Sequence, residues 1–116
     1  MRKQLLSWQW SLYGDGHQHR ANLIIHILTV PLFLAGTAAL ACAWLSPWLL
    51  CGAPAMAFAM ALQGRGHKKE SVSPVPFEGA SDLVSRIFVE QWVTFPRFVL
   101  TGGFATAWRG GASAAR

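Results

Sequence analysis

Residues 23–64 read LIIHILTVPLFLAGTAALACAWLSPWLLCGAPAMAFAMALQG and contain no Asp, Glu, Lys or Arg. A charge-free run of this length can supply two membrane spans of about 20 residues each. Ser46-Pro47 lies near its centre and makes a natural turn. The stretch therefore predicts two antiparallel helices, over 22–45 and 48–64, packed as a transmembrane hairpin. Pro31 and Pro54 fall inside these helices, where lipid-embedded segments tolerate a proline as a kink. The second helix is mostly Ala and Met, and small residues let helices approach closely where no hydrophobic force acts between them.

The hairpin fixes a register. His26 and His67 stand equally far from the turn, so they are expected at one depth and at one membrane edge. Asn22 lies one turn below His26, and Glu70 nearly one turn beyond His67. His17 and His19 precede the first helix at that same edge, so all four histidines gather at one end of the hairpin. Cys42 and Cys51 are also equidistant from the turn. A disulfide needs Cα atoms within about 7 Å, closer than helix axes usually lie, so both are expected as small buried residues of the helix interface.

The rest of the composition agrees with a lipid environment. The 116 residues make one domain, 53% hydrophobic with six Trp and only 13% charged, against about a quarter charged in ordinary soluble domains. Net charge is +5. The basic residues flank the hairpin: Arg2, Lys3 and Arg20 before it, Arg65, Lys68 and Lys69 after it. The positive-inside rule then places both termini in the cytoplasm, and anionic headgroups become the partner of this charge. A nucleic-acid role is excluded, because no basic stripe interleaved with aromatics occurs. The start of the chain has neither the apolar core nor the small-residue cleavage site of a secretion signal. Arg in excess of Lys, with much Ala and Gly, suggests a GC-rich bacterium and hence its inner membrane. Lipid-facing Ala and Gly make a homodimer a further expectation.

Outside the hairpin, 4–13 carries Leu5, Trp8 and Leu12 at helical spacing and predicts a Trp-rich interfacial helix, ended by Gly14-Asp15-Gly16. Residues 71–79, with Pro74 and Pro76, read as a loop. Ser81 or Asp82 can cap a further helix over 82–101, apolar except for a stripe of Arg86, Glu90, Thr94, Arg97 and Thr101, and bent at Pro96. This helix is amphipathic or partly embedded. Arg86 and Glu90 are spaced as a helix-surface pair. Arg97 snorkels to headgroups or holds a substrate carboxylate. The ordered part is expected to end at the Gly pairs 102–103 and 110–111, leaving 110–116 as a tail. The fold class is thus all-α.

Histidines at a membrane edge need a partner or a task. His67 and Glu70, three apart, share a helix face, the spacing of His and carboxylate in metal-binding bundles. Imidazole suits Fe, Zn, Cu and Ni, and two His with one carboxylate fit a non-haem Fe(II) oxygenase. Two alternatives stay open. The histidines can be structural, His67 pairing with Glu70, or His26 and His67 can be the axial ligands of a haem.

The ordered set Tyr13-x3-His17-x4-Asn22-x3-His26-x4-Pro31, followed by Gln63-x2-Gly66-His67-x2-Glu70-x3-Pro74, resembles the fungal endoplasmic-reticulum 2-hydroxy-fatty-acid dioxygenase of phytosphingosine breakdown and its small bacterial relatives. The likeness covers about 13–76, with Phe95-Pro96-x-Phe98-Val99 also similar. Arg20, Thr29 and Val75 stand where that family often has Pro, Gly and Ala. The spacing between His67 and Glu70 is one residue shorter than in many members. The resemblance implies a membrane enzyme that uses Fe(II) and O2 to shorten 2-hydroxy fatty acids by one carbon. It implies His17, His26 and His67 as iron ligands, Glu70 as a fourth ligand or acid/base group, and Asn22 as a residue orienting an imidazole. His19 has no counterpart there and is held in reserve.

Overall fold

In the computed structural model, which describes residues 2–114, the chain is all-helical. Helix α1 spans Leu5–Tyr13, α2 spans Arg20–Ala41 and α3 spans Gly52–His67. A short 3-10 turn, Pro47–Cys51, joins α2 to α3. Next come α4 (Ala80–Val89), a widened π turn (Glu90–Thr94), α5 (Phe95–Leu100) and α6 (Gly103–Ala114).

Helices α2 and α3 pack as a hairpin, but α2 ends at Ala41 rather than at 45 and α3 begins at Gly52 rather than at 48, and glycine sets the closeness of the pair. A Cβ on Gly52 would lie 2.1 Å from the Gly36 carbonyl oxygen and 3.0 Å from the Leu40 nitrogen. Both are backbone atoms, so the helices touch main chain to main chain. Gly52→Ala is therefore expected to destabilise the hairpin by about 1–3 kcal/mol or more, the cost of overpacking where neither side can yield. Gly64 is the control: a Cβ there meets nothing within 4 Å, so Gly64→Ala gains about 0.5–1 kcal/mol from helix entropy. Thermal unfolding of both variants in one detergent checks the contrast.

Several expectations are corrected. Among the described residues only α2, with 22 residues, is long and apolar enough to cross a membrane. Helix α3 has 16 residues, about 24 Å at 1.5 Å per residue, so of the two expected spans only the first reaches full length. Cys42 and Cys51 are free and exposed, because the interface they were assigned to is filled by Gly36 and Gly52. The helix over 82–101 is interrupted by the π turn, which lies just before Pro96. A proline has no N–H, and its ring crowds the carbonyl four residues earlier; a turn of wider hydrogen bonding takes up that misfit. The tail continues as a helix through Gly110 and Gly111 to Ala114; only 115 and 116 of it lie outside the described residues. Gly102 adopts φ 88° and turns the chain into α6, a value glycine reaches without strain.

The loop at 71–79 is present and is tied down from α4. Arg86 donates from Nη1 to the Pro76 carbonyl at 3.2 Å and from Nη2 to the Val75 carbonyl at 2.8 Å. The Asp82 carboxylate accepts from the Glu78 N–H at 3.0 Å, with Gly79 as the residue before the helix. The apolar core lies at the histidine end of the hairpin. There Tyr13 of α1, Leu23 and Val30 of α2, Phe95 and Phe98 of α5 and Ala107 of α6 pack together.

Candidate metal centre

Four elements converge on one buried point. His26 projects from α2 and is fully buried. His67 is the last residue of α3. His17 follows the turn that ends α1. Glu90 opens the π turn. One ligand atom from each of these four lies within 4.8 Å of all the others. The imidazole centroids are 4.8, 4.9 and 5.0 Å apart, with the rings 82–90° to one another, like three walls meeting at a corner.

Hydrogen bonds decide which nitrogen faces inward. His17 Nδ1 lies 2.7 Å from the Tyr13 carbonyl, and His26 Nδ1 lies 3.0 Å from the Asn22 carbonyl. A carbonyl oxygen only accepts, so each Nδ1 carries the proton. In a neutral ring the inward Nε2 is then a bare lone pair. Both Nε2 atoms are buried without a hydrogen-bond partner. They stand 3.5 and 3.4 Å from Glu90 Oε2. Two lone pairs aimed at a buried carboxylate repel unless a cation lies among them. This tautomer, with Nδ1 on a backbone carbonyl, is the one metal-bound histidines adopt. The residues therefore fit a transition-metal ion. Bonds of about 2.0–2.2 Å keep ligand atoms within about 4.3 Å of each other, so closure asks for a contraction of roughly half an ångström.

Tyr13 holds the site twice. Its carbonyl fixes His17, and its hydroxyl donates to Glu90 Oε2 at 2.8 Å. Its ring also stacks on His17 at 3.8 Å. Burial pushes the phenol well above its usual pKa, and the Glu90 charge adds to the effect, so Tyr13 stays a neutral donor. Burial lowers His67 to about 4, helped by His17 and His26 and opposed by Glu90; it is a neutral ligand at physiological pH. Burial works against ionisation of Glu90. The imidazoles of His17 and His26 beside it, cationic when protonated, outweigh burial and hold the carboxyl well below the usual range.

Of the sequence-derived site residues, the structure brings together His17, His26 and His67. Glu70 is elsewhere. Helix α3 stops at His67, so Glu70 lies past its end and turns back on the other side. Its carboxylate accepts from the backbone N–H of Gln18 at 2.9 Å, from that of His19 at 3.0 Å and from Asn22 Nδ2 at 2.7 Å. It clamps the loop that carries His17, and the carboxylate among the histidines belongs to Glu90. The backbone carbonyl of Asn22 accepts from His26 Nδ1, while the Asn22 side chain, the group the sequence singled out, links α2 to Glu70. His19 caps α2, its Nδ1 accepting from the Ala21 N–H at 3.1 Å. Arg97 is exposed, its guanidinium 4.0 Å over the Trp10 ring, outside the site. The surface pair of Arg86 with Glu90 does not form; Arg86 Nη1 binds Asp82 at 3.2 Å. Sequence reasoning missed Glu90, whose signal was a lone acid in the apolar run 83–100.

The haem alternative does not fit. Axial histidines face each other across a flat macrocycle, and here the His17 ring occupies the space beside both His26 and His67.

No protein-family model, curated protein or solved structure matches the chain.

Proposed function

We propose that this chain is a membrane-bound, Fe(II)-dependent dioxygenase that shortens 2-hydroxy fatty acids by one carbon. The observation that carries the metal is the group of His17, His26, His67 and Glu90, with two inward nitrogens left bare. The choice of iron and of substrate rests on the family resemblance. Bound iron would supply chelation of the hydroxy acid and activation of O2. The overall conversion balances without a reductant: the hydroxy acid and one O2 give the shortened acid, CO2 and water. The chain's own residues bind the ion, exclude water from it and, through the Tyr13 hydroxyl, donate a hydrogen bond to the ionised Glu90 Oε2.

A bilayer location is supported by the apolar surface. Leu28 is 68% and Phe58 59% exposed on the outer faces of the hairpin. Trp44 and Trp48 stand exposed at its turn, and Trp92 and Trp108 near the other end. Helix α2, about 33 Å long, matches a hydrocarbon core of about 30 Å, with Trp at both boundaries. The histidine end carries the flanking Lys and Arg, and by the positive-inside rule we read it and both termini as lying on the cytoplasmic face of a bacterial inner membrane. A fatty acid lying in the leaflet would present its head at that depth.

A second reading is favoured by the same contacts. Protonated His17 or His26 at 3.5 and 3.4 Å from Glu90 makes a buried ion pair with no catalytic task. Metal content of protein purified anaerobically in detergent and supplied with Fe(II) separates the two. Stoichiometric iron, lost in His26→Ala and in His67→Ala, is the expected result. Wild-type protein that takes up no metal leaves the ion pair as the answer.

A further inference from the structure

A cleft of about 330 Å³ opens beside the metal group. His17, His67 and Glu90 form its inner end. The rest is mostly carbon: Trp8 and Leu12 of α1, Met60 of α3, Ile87 of α4, and Val75 and Phe77 of the 71–79 loop. Its volume is at the lower end of small-ligand sites. At roughly 30 Å³ per water-sized group it accommodates about ten non-hydrogen atoms.

The charges along this cleft decide what kind of head a ligand can have. Arg86 is the one Lys or Arg among the described residues that line it, and both its terminal nitrogens are engaged. Nη1 and Nη2 go to the Pro76 and Val75 carbonyls, and Nη1 also to Asp82. Its Cζ lies 4.3 Å from the Phe77 ring centroid and 5.1 Å from that of Trp8. It fastens the loop. Asp15 and Glu90 add negative charge to the lining. A bare carboxylate entering here finds its one side-chain cation already paired with Asp82 and the loop carbonyls, and two repelling anions.

Resting on the metal-site reading above, we infer that this cleft binds a single unbranched apolar chain, about eight carbons of which lie inside it with the head oxygens. Its head is recognised only through two neighbouring oxygens that reach the ion held by His17, His26, His67 and Glu90. Neither Arg86 nor Arg97 takes part. Selectivity for a 2-hydroxy acid over the plain fatty acid then follows from chelation of the ion by the hydroxyl together with the carboxylate, with no side-chain cation to hold a carboxylate alone and no side chain dedicated to the hydroxyl.

The test uses the full chain in detergent with Co(II) as a visible-band probe. Lactate, 2-hydroxyhexanoate, 2-hydroxydecanoate and decanoate are titrated in turn, into wild type, Leu12→Trp, Val75→Trp and Arg97→Ala. The 2-hydroxy acids are expected to shift the Co(II) band, tightening about fourfold per methylene. Decanoate is expected to bind at least 100-fold more weakly than 2-hydroxydecanoate. The two Trp variants keep Co(II) but flatten the dependence on chain length, and Arg97→Ala matches wild type. Partition into detergent is the same for every protein, so the flattening reports on the cleft. Equal chain-length dependence in the Trp variants overturns the cleft, and decanoate binding as tightly as its 2-hydroxy analogue overturns the head assignment. Either result, with Co(II) still bound, leaves the metal site standing. Wild-type protein that takes up no Co(II) overturns this inference and the metal reading together.

Discussion

Glu90→Gln is expected to lower metal affinity by at least about 100-fold, the effect of losing a charged ligand rather than an outer partner, while leaving the metal-free protein as stable as before or more so. The second half follows from the lone pairs. In the metal-free site Glu90 Oε2 faces His17 Nε2 and His26 Nε2 with no proton of its own to offer. A glutamine amide placed there donates to one of them and removes a buried charge. The two readings of the site therefore part in sign. If Glu90 is one half of a structural ion pair, breaking it strands a buried imidazolium and costs about 3–5 kcal/mol. Metal titration and thermal unfolding of the same variant decide between them. Glu70→Gln is the companion. It weakens charged hydrogen bonds to Gln18, His19 and Asn22, costing about 1–2 kcal/mol, and keeps stoichiometric metal. Loss of metal in Glu70→Gln with retention in Glu90→Gln would refute the assignment of the carboxylate.

Gln63→Leu is expected to cost about 2–4 kcal/mol, the penalty of leaving buried polar groups unpaired. Gln63 Nε2 donates to Thr29 Oγ1 at 3.0 Å and to Gln91 Oε1 at 3.0 Å, and Gln91 Nε2 returns a bond to Gln63 Oε1 at 2.7 Å. Both glutamines are almost fully buried. Gln91 is the residue after Glu90, so the paired amides bind the π turn to α3 and α2 at the position that aims the carboxylate. Adding Gln91→Leu removes the orphaned partner, and the double variant is expected to recover more than half of the lost stability. Metal affinity should not recover with it, because the tie between the turn and the hairpin is gone. A double-mutant cycle read by unfolding and by metal titration tests both statements. Full recovery of affinity in the double variant would show that the glutamines serve packing alone.

What the sequence revealed follows from which contacts are local. The charge-free run and Ser46-Pro47 were enough to set His26 opposite His67, and the rings lie 5.0 Å apart. Helix α1 ends at Tyr13, as the glycines after it require. Glu90 was hidden because its partners are 73 and 64 positions away in the chain, and helical spacing instead offered Arg86 beside it. Arg86 was already committed to the loop it fastens. Glu70 misled for the opposite reason: its spacing from His67 matters only if the helix continues, and α3 stops at His67. The length of α3 and the exposure of the cysteines depend on packing that no local pattern encodes. The Pro96 signal was read as a bend, and it became a widened turn because relieving a proline without breaking the helix takes one additional residue.

That additional residue makes the site fragile in a way no point substitution does. A π turn is an α-helix with a single residue inserted, so losing one codon between 90 and 94 would restore a plain helix. Everything downstream would rotate by about 100° at 3.6 residues per turn. Either Glu90 or the apolar face of α5 would then be swung away from the hairpin, and both cannot stay. Three nucleotides separate a chain that can gather four ligands from one that keeps the helices and loses the centre. In a lineage carrying this fold, the length of that turn marks whether Glu90 can still meet the three histidines.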